Sequence, residues 1–495
     1  MQYRKDWIER WATYQPDKLA VREHSSQRSL TYGQLQERGL KAASFLQHEL
    51  SLKKGSRVAI LADFCLEHIL LFAAAQKLGI ILVPLNYRLT GRELAYMLDN
   101  CQPELFLADD HYNALLEGHH ILERIRHIMT PATFSEAVSG HLPRESTPVE
   151  LEEDHPLFIL YTSGTTGFPK GALYTHGMAF WNSINTATRL DITSRDHTLI
   201  SMPPFHTGGW NVFLTPFLHH GASFTLMAKF EAEEVLRVLE QENATLYMAV
   251  PTMLKMMQEA EAFEQVALAH IRYFIVGGEA LPLPTIERWH QKGILIRQGY
   301  GLTEVGPNIT SLNHQDAARK RGSIGKPNFY VDYQLMDDEG NPVAAGEAGE
   351  LWLRGPMVTP GYWQHEEASA AAKEGDWFKT GDMVLQDEEG FLYVVDRKKN
   401  MFISGGENVY PAEVEKYLQT HSAIEEVAIV GTPDDRWGET GKAFVALKEG
   451  AMLSEQEILE FCRQGLAKYK IPKYIHFVGE LPKTDTGKIA RSLLK

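Results

Sequence analysis

Between Tyr161 and Gly171 the chain reads Tyr-Thr-Ser-Gly-Thr-Thr-Gly-Phe-Pro-Lys-Gly. Backbone N–H groups in a run of small residues can converge on phosphate oxygens, and a lysine adds a point charge. Thr162, Ser163, Thr165 and Thr166 offer hydroxyls, Gly164 and Gly167 let the backbone approach, and Lys170 supplies the charge. The apolar run Leu157 to Leu160 just ahead predicts a strand carrying the loop. This is not the widespread P-loop, which has four residues between its glycines and a Ser or Thr after its lysine. Here two residues separate Gly164 from Gly167, and Gly171 follows Lys170. A short Ser/Thr/Gly stretch is usually a surface turn. The length of this run and its terminal lysine favour phosphate binding.

Further motifs follow in order. Pro204-Phe205-His206-Thr207-Gly208-Gly209-Trp210 precedes Gly277-Gly278-Glu279, then Gly299-Tyr300-Gly301-Leu302-Thr303-Glu304. Next come Trp377-Phe378-Lys379-Thr380-Gly381-Asp382, Asp396-Arg397-Lys398-Lys399 and Ser404-Gly405-Gly406-Glu407-Asn408-Val409-Tyr410-Pro411. Pro482-Lys483-Thr484-Asp485-Thr486-Gly487-Lys488 closes the series. Alone, each is bland: a lone Asp or Glu is usually a solvated charge, and Thr380-Gly381-Asp382 would pass as a turn. As an ordered set covering nearly the whole chain, they resemble the adenylate-forming superfamily. That superfamily includes acyl-CoA synthetases, firefly-type luciferases and peptide-synthetase adenylation domains, and the pattern is most similar to bacterial fatty-acyl-CoA synthetases.

The resemblance implies roles. ATP and AMP would be held by Thr162, Ser163, Gly164, Thr165, Thr166, Gly167, Lys170, Gly278, Glu279, Gly299, Tyr300, Gly301 and Thr303. Asp382 would take the ribose hydroxyls with Arg397 assisting, and Glu304 would hold Mg²⁺. Lys488 would bridge the substrate carboxylate and the nucleotide, Lys399 would mark a hinge, and Gly405 and Gly406 would flank the CoA tunnel. His206, Gly208, Gly209 and Trp210 would line the acyl pocket, with His206 gating its mouth beside Phe205. Lys488, Lys170 and His206 are thus the catalytic candidates.

The chemistry explains these residue types. A carboxylic acid with a pKa of about 4 is already ionised near neutrality, so its activation needs no general base. The difficulty is bringing one anion against another and stabilising pyrophosphate as it leaves, which calls for cations and oriented donors. The expected reaction is ATP-dependent formation of an acyl-adenylate and transfer of the acyl group to CoA, with ATP, Mg²⁺ and CoA required. No acid follows His206 to pair with a substrate ammonium, which argues against amino acids, because a buried unpaired charge is costly. The chain also ends soon after Lys488, so a free acid passed to CoA is expected. Gly208 and Gly209 leave room in the wall, with Trp181 and Asn185 as expected neighbours of the tail. A medium- or long-chain fatty acid is the expected substrate and an aryl acid, hydroxycinnamate or succinylbenzoate, the alternative. A non-catalytic nucleotide- or acyl-binding relative is the reading of a different class. No zinc pattern is present, and His219-His220 reads as structural.

Composition agrees. The chain has 495 residues, 44% hydrophobic and 23% charged, in the range of ordinary globular proteins. A net charge of −15 argues against a nucleic-acid partner. Three cysteines, Cys65, Cys101 and Cys462, form no C-x-x-C pair, which suits a reducing compartment and a cytoplasmic enzyme. The first residues contain no apolar signal core. The most apolar stretch, Ile69 to Leu85, is broken by Gln76, Lys77 and Gly79, leaving runs too short to span a bilayer. Peripheral membrane contact and a homodimer remain open partners.

The elements that must position these motifs alternate between helix and strand. Thr31 with Gln34 forms a capping-box pattern opening a helix toward Leu50. Arg57 to Leu61 reads as a strand, Leu66 to Leu78 as a helix and Ile80 to Pro84 as a strand. Glu231 to Glu242 reads as helical, with Thr245 to Val250, Tyr273 to Val276 and Ile294 to Arg297 extended. Such alternation predicts an α/β fold of doubly wound sheets. From Tyr330 to Val395, acidic turns ending in Gly340 and Gly390 predict hairpins and a β-rich subdomain. The expected division is a large AMP-binding N-terminal domain over 1–396, a hinge at 397–400 and a small mobile α+β domain over 401–495. In that last domain Pro411 would begin a helix, Val427 to Val430 and Ala443 to Leu447 would be strands, and Ser454 to Leu466 another helix.

Overall fold

The computed structural model describes residues 6–144, 149–162, 169–278, 281–344, 346–404, 407–434, 436–484 and 488–494. The chain divides into two compact units, 1–333 with 353–378, and 334–352 with 379–495.

In the first unit the helix Tyr32–His48 starts at the expected box. Thr31 Oγ1 accepts from Gln34 N, and Gln34 Oε1 accepts from Thr31 N at 2.9 Å. The helix Leu66–Leu78 spans the expected residues, and Gly79 ends it in the left-handed region (φ 71°). Nearly every side chain of that helix is buried, so it is apolar all round rather than amphipathic. Its acidic residue, Glu67, is buried but paired: Arg28 Nη1 donates to it at 2.7 Å. That pairing, against the upward push of burial, leaves the Glu67 carboxyl below its usual pKa.

Among the described residues this unit holds two large sheets. One has six strands in the order His127–Met129, Leu105–Ala108, Arg57–Leu61, Ile81–Pro84, Pro156–Thr162, Lys170–Thr175. All neighbours run parallel except the last pair, which is antiparallel. The other has nine strands, whose central five, Ile296–Leu302, Tyr273–Val276, Leu246–Ala249, His197–Ile200 and Ser223–Leu226, are mutually parallel. The strand Gly306–Ser311 then returns antiparallel to Ile296–Leu302. Buried strands of this kind carry apolar residues on both faces, which is why their sequences read as short unbroken runs.

The stretch expected to be β-rich, Tyr330 to Val395, is mostly strand, interrupted by the short helix Glu366–Ala371. The strands there are Asp332–Met336, Ala348–Arg354, Trp377–Gln386 and Leu392–Arg397, with the short Lys373–Glu374. In the second unit, Trp377–Gln386, which enters it at Lys379, pairs antiparallel with Leu392–Arg397 and sets Asp382 opposite Arg397. Beyond them, the long hairpin Ile424–Asp434 with Gly438–Leu447 carries helices Pro411–Leu418 and Glu455–Gly465. Their shared core holds Phe402, Val414, Leu418, Val427, Val445 and Ile458.

All three cysteines are free thiols. Burial pushes Cys101 up to about 12 and Cys462 up to about 11. Burial, followed by the charges of Glu67 and Glu23, raises Cys65 well above the usual thiol range. No helix among the described residues is long and apolar enough to cross a membrane.

Candidate active site

The phosphate loop springs from an antiparallel pair. Thr162 at the end of one strand stands opposite Lys170 at the start of the next. Ser163, Gly164, Thr165, Thr166 and Gly167 between them lie outside the described residues, as does Glu279. Thr162 and Lys170 thus fix both ends of the loop.

Glu304 comes to the same place from the other sheet. Its Oε1 accepts from the Thr162 hydroxyl at 3.3 Å and from the Tyr362 hydroxyl at 3.1 Å. The Tyr362 ring also lies 5.8 Å from Lys170 Nζ, within cation–π range. Lys170, Glu304 and Thr162, far apart in sequence, are therefore brought together, and Tyr362 joins them. Sequence reasoning passed over Tyr362. The Pro360-Gly361 pair ahead of it signals only a turn, whereas its position comes from chain return: Tyr362 bridges Ala172 and Trp363 N donates to Gly171 O at 2.7 Å.

The glycine motifs lie where parallel strands end, the usual place for ligands in open α/β sheets. Gly277 and Gly278 follow Tyr273–Val276, and Gly299 to Gly301 end the neighbouring strand. A Cβ on Gly301 would meet Pro307 C at 2.3 Å, so the turn through Thr303 to the strand Gly306–Ser311 needs glycine there. Tyr300 stands opposite Thr310 in that pairing. Thr303 opens the one-turn segment Thr303–Val305 that holds Glu304.

The Pro204 to Trp210 segment ends in a π-helical turn, Gly208–Val212. Such turns are rare and cluster at functional sites. His206 packs its ring 4.6 Å from Phe205, and Phe205 meets Tyr87 edge-on at 5.0 Å. The two glycines differ. A Cβ on Gly208 would touch only Met202 Cε at 3.5 Å and Met248 Cε at 3.6 Å, an ordinary contact. A Cβ on Gly209 would strike Pro203 O at 2.5 Å. Gly208 has room for a Cβ against flexible methionine ends, while Gly209 is needed for close backbone approach. Trp210 is fully buried, packed against Phe64, Phe72 and Phe158, and donates to Pro204 O at 2.7 Å. Its indole is part of the core beneath the segment.

The second unit holds the remaining candidates. Asp382 is buried and takes Arg397 Nε on its Oδ1 at 2.6 Å. Gly381 (φ 71°) makes the bend before it, where Gly381 N donates to Glu350 Oε1 at 3.1 Å. Lys399 lies in the short turn Lys398–Asn400, inside this unit. Burial and then the Arg397 charge lower its pKa, against the pull of Asp382. The turn is pinned on both sides: Lys398 Nζ reaches Asp338 at 2.8 Å, and Asn400 donates to Asp396 at 3.0 Å. Gly405 and Gly406 lie outside the described residues. Lys488 is exposed, and its carbonyl accepts from Thr484 N at 2.6 Å. Downstream, Arg491 Nη2 donates to the buried Glu415 at 2.7 Å, fastening the terminal segment to helix Pro411–Leu418.

Lys170 at the end of the expected phosphate loop, a carboxylate near it and glycine turns at strand ends are the arrangement the sequence motifs anticipated for a nucleotide. The family profile described as "AMP-binding enzyme" matches residues 8–363, and its C-terminal domain profile matches 413–488. This chain belongs to the AMP-binding enzyme family. Among its relatives, a feruloyl-CoA synthase from Streptomyces is 36% identical over 98% of this chain and 97% of its own. The long-chain-fatty-acid–CoA ligase FadD13 of Mycobacterium tuberculosis is 34% identical over 98% and 96%. The o-succinylbenzoate CoA synthetase of Bacillus subtilis, solved with ATP and magnesium, has a TM-score of 0.87 and 31% identity, covering 99% of each chain. This AMP-binding enzyme is an acid–thiol ligase that uses ATP and CoA, an acyl- or aryl-CoA synthetase of the AMP-forming type.

Proposed function

We propose that this ligase activates a hydrophobic carboxylic acid without an α-ammonium, with a medium- or long-chain fatty acid as the first class. One observation carries this reading. A side chain at Gly208 would first meet the methyl ends of Met202 and Met248, and the Pro204 to Trp210 segment contains no carboxylate. Thioether side chains are apolar and adaptable, and suit an alkyl tail. A second reading, an aryl acid, is favoured by the feruloyl-CoA synthase relative.

In this proposal a carboxylate oxygen of the acid attacks the α-phosphorus of ATP and pyrophosphate leaves. The CoA sulfur then attacks the acyl carbon, and AMP leaves. Lys170 and the donors of residues 162–167 hold the β- and γ-phosphates, Thr303 faces the α-phosphate, and Gly278, Glu279 and Gly299 to Gly301 receive the nucleoside. Asp382 takes the ribose hydroxyls, helped by Arg397. Glu304 suits Mg²⁺, which commonly rests on one or two carboxylates plus substrate phosphates. Two neutral hydroxyl donors orient Glu304 without neutralising it. When bound, the ion offsets charge on the phosphates. Lys488 bridges the acid and the nucleotide in the first step only. Residues 397–400, with Lys399, act as the hinge that lets the region 401–495, including Gly405 and Gly406, serve the CoA step. His206 gates the acyl pocket.

The test is AMP formation, with and without CoA, over acids from acetate to palmitate together with benzoate, ferulate and succinylbenzoate. A maximum among alkyl acids is expected. A maximum at ferulate or succinylbenzoate transfers the assignment to the second reading, and ADP as product ends both.

A further inference from the structure

The π-helical turn Gly208–Val212 runs directly into the helix Leu214–His220, and the junction has a defect written in the sequence. Pro216 has no N–H. Pro216, the third residue of that helix, thus cannot donate back to the carbonyls of Val212 or Asn211, which precede the helix. Both residues are buried, where an unmet carbonyl is costly.

Two side-chain amides from distant elements meet these oxygens. Asn182 Nδ2, from helix His176–Leu190, donates to Asn211 O at 2.7 Å. Asn308 Nδ2, from strand Gly306–Ser311, lies 3.3 Å from Val212 O and donates to Thr186 Oγ1 at 2.6 Å. Thr186 Oγ1 in turn donates to Asn182 O at 2.7 Å, so the two amides belong to one network. On the other side, Asn211 Nδ2 donates to Thr207 Oγ1 at 3.2 Å, next to His206. Asn182, Thr186 and Asn211 are at most 1% exposed and Asn308 is 5% exposed.

We infer that Asn182 and Asn308 are positioning residues for acid selection: their amides replace the N–H that Pro216 lacks and so fix the π-turn carrying Gly208. Neither touches the acid in this scheme. They set the height of the wall that does. Asn308 stands four residues after Glu304 on the strand leaving the nucleotide turn, so the wall is referenced to the nucleotide site through one short stretch of chain. This inference rests on the reading of Pro204 to Trp210 as the acid-facing wall.

The experiment compares wild type with Asn308→Leu, which keeps the branched heavy-atom skeleton, adds some bulk and removes the donor. It also uses Asn308→Leu combined with Pro216→Ala, which returns an N–H near Val212 O. Acid-dependent ATP–pyrophosphate exchange is measured over the same panel of acids. Asn308→Leu should raise KM for the preferred acid about tenfold, as for one or two lost buried hydrogen bonds, and reorder the panel. KM for ATP should stay within about twofold, and the double variant should recover part of the loss. Equal changes in both KM values, or no recovery in the double variant, overturn the inference. Should Asn308→Leu fail to fold, Asn182→Leu must show the same split, and its absence overturns the inference equally. Gly208→Phe separates the two readings. If it leaves the panel unchanged, the wall reading fails and this inference falls with it. If it shifts the panel while both asparagine variants leave it intact, only the inference fails.

Discussion

Tyr362 and Glu304 meet through a single hydroxyl, so the contact can be removed while the ring stays beside Lys170. Tyr362→Phe should lower apparent Mg²⁺ affinity several-fold and adenylation by about tenfold, near the worth of a hydrogen bond to a charged group. Mn²⁺ binding followed by its paramagnetic signal gives a readout independent of turnover. An unchanged metal titration would show that the hydroxyl does not orient the carboxylate. The adjacent glycines of the segment proposed to face the acid make a sharper pair. Gly208→Phe should exclude long acids and leave ATP binding intact, because its Cβ meets only flexible methionine ends. Gly209→Ala should lower the melting temperature and soluble yield instead, since its Cβ lies 2.5 Å from a backbone oxygen. If Gly209→Ala folds normally and alters only the acid profile, the assignment of the two positions is reversed.

At the scale of elements, what could be read in the sequence was what is local. The box at Thr31 and Gln34, the helix Leu66–Leu78 and the strands Arg57–Leu61 and Tyr273–Val276 follow from spacing alone, and each lies where expected. The ordered motifs located Lys170 and Glu304 but not what joins them. Tyr362 arrives by chain return, and the π-turn depends on amides from residues some 30 positions before it and 96 positions after it. No local pattern encodes a partner at that distance. Helix Leu214–His220 supplies a pH prediction. His219 stacks on Trp7 at 4.4 Å, and its Nδ1 shares a hydrogen bond with Ser183 Oγ at 2.8 Å. Burial, then the His220 charge, push its pKa from 6.5 down to about 3. The unfolded chain thus takes up a proton near pH 6.5 that the folded chain refuses until about pH 3. This group's contribution is complete above pH 6.5 and is lost as pH falls through that window. His219→Gln should flatten the fall in melting temperature between about pH 7 and pH 5. Equal slopes in variant and wild type would place the uptake elsewhere.

For the whole molecule, the proposed division of labour predicts separable half-reactions. Lys488→Ala should lose adenylation by about 10²-fold, as for removal of a transition-state charge contact, and still convert a supplied acyl-adenylate to thioester. Lys399→Pro, which restricts the backbone of the Lys398–Asn400 turn, should show the reverse bias. Equal loss of both steps in Lys488→Ala would refute the two-step arrangement without touching the ligase assignment. The three protonated thiols have a practical corollary. Maleimides and similar electrophiles react with thiolates; Cys101 and Cys462 are buried, Cys65 is partly buried, and all three are shifted toward the thiol form. The native thiols should therefore label slowly, Cys65 fastest of the three. A cysteine introduced at exposed Glu117 and another at exposed Glu449 would take fluorophores one in each unit, with Cys65→Ser removing the partly exposed native thiol. Energy transfer between such dyes, followed as ATP, acid and CoA are added in turn, would time any rearrangement of the units in the unaltered catalytic machinery.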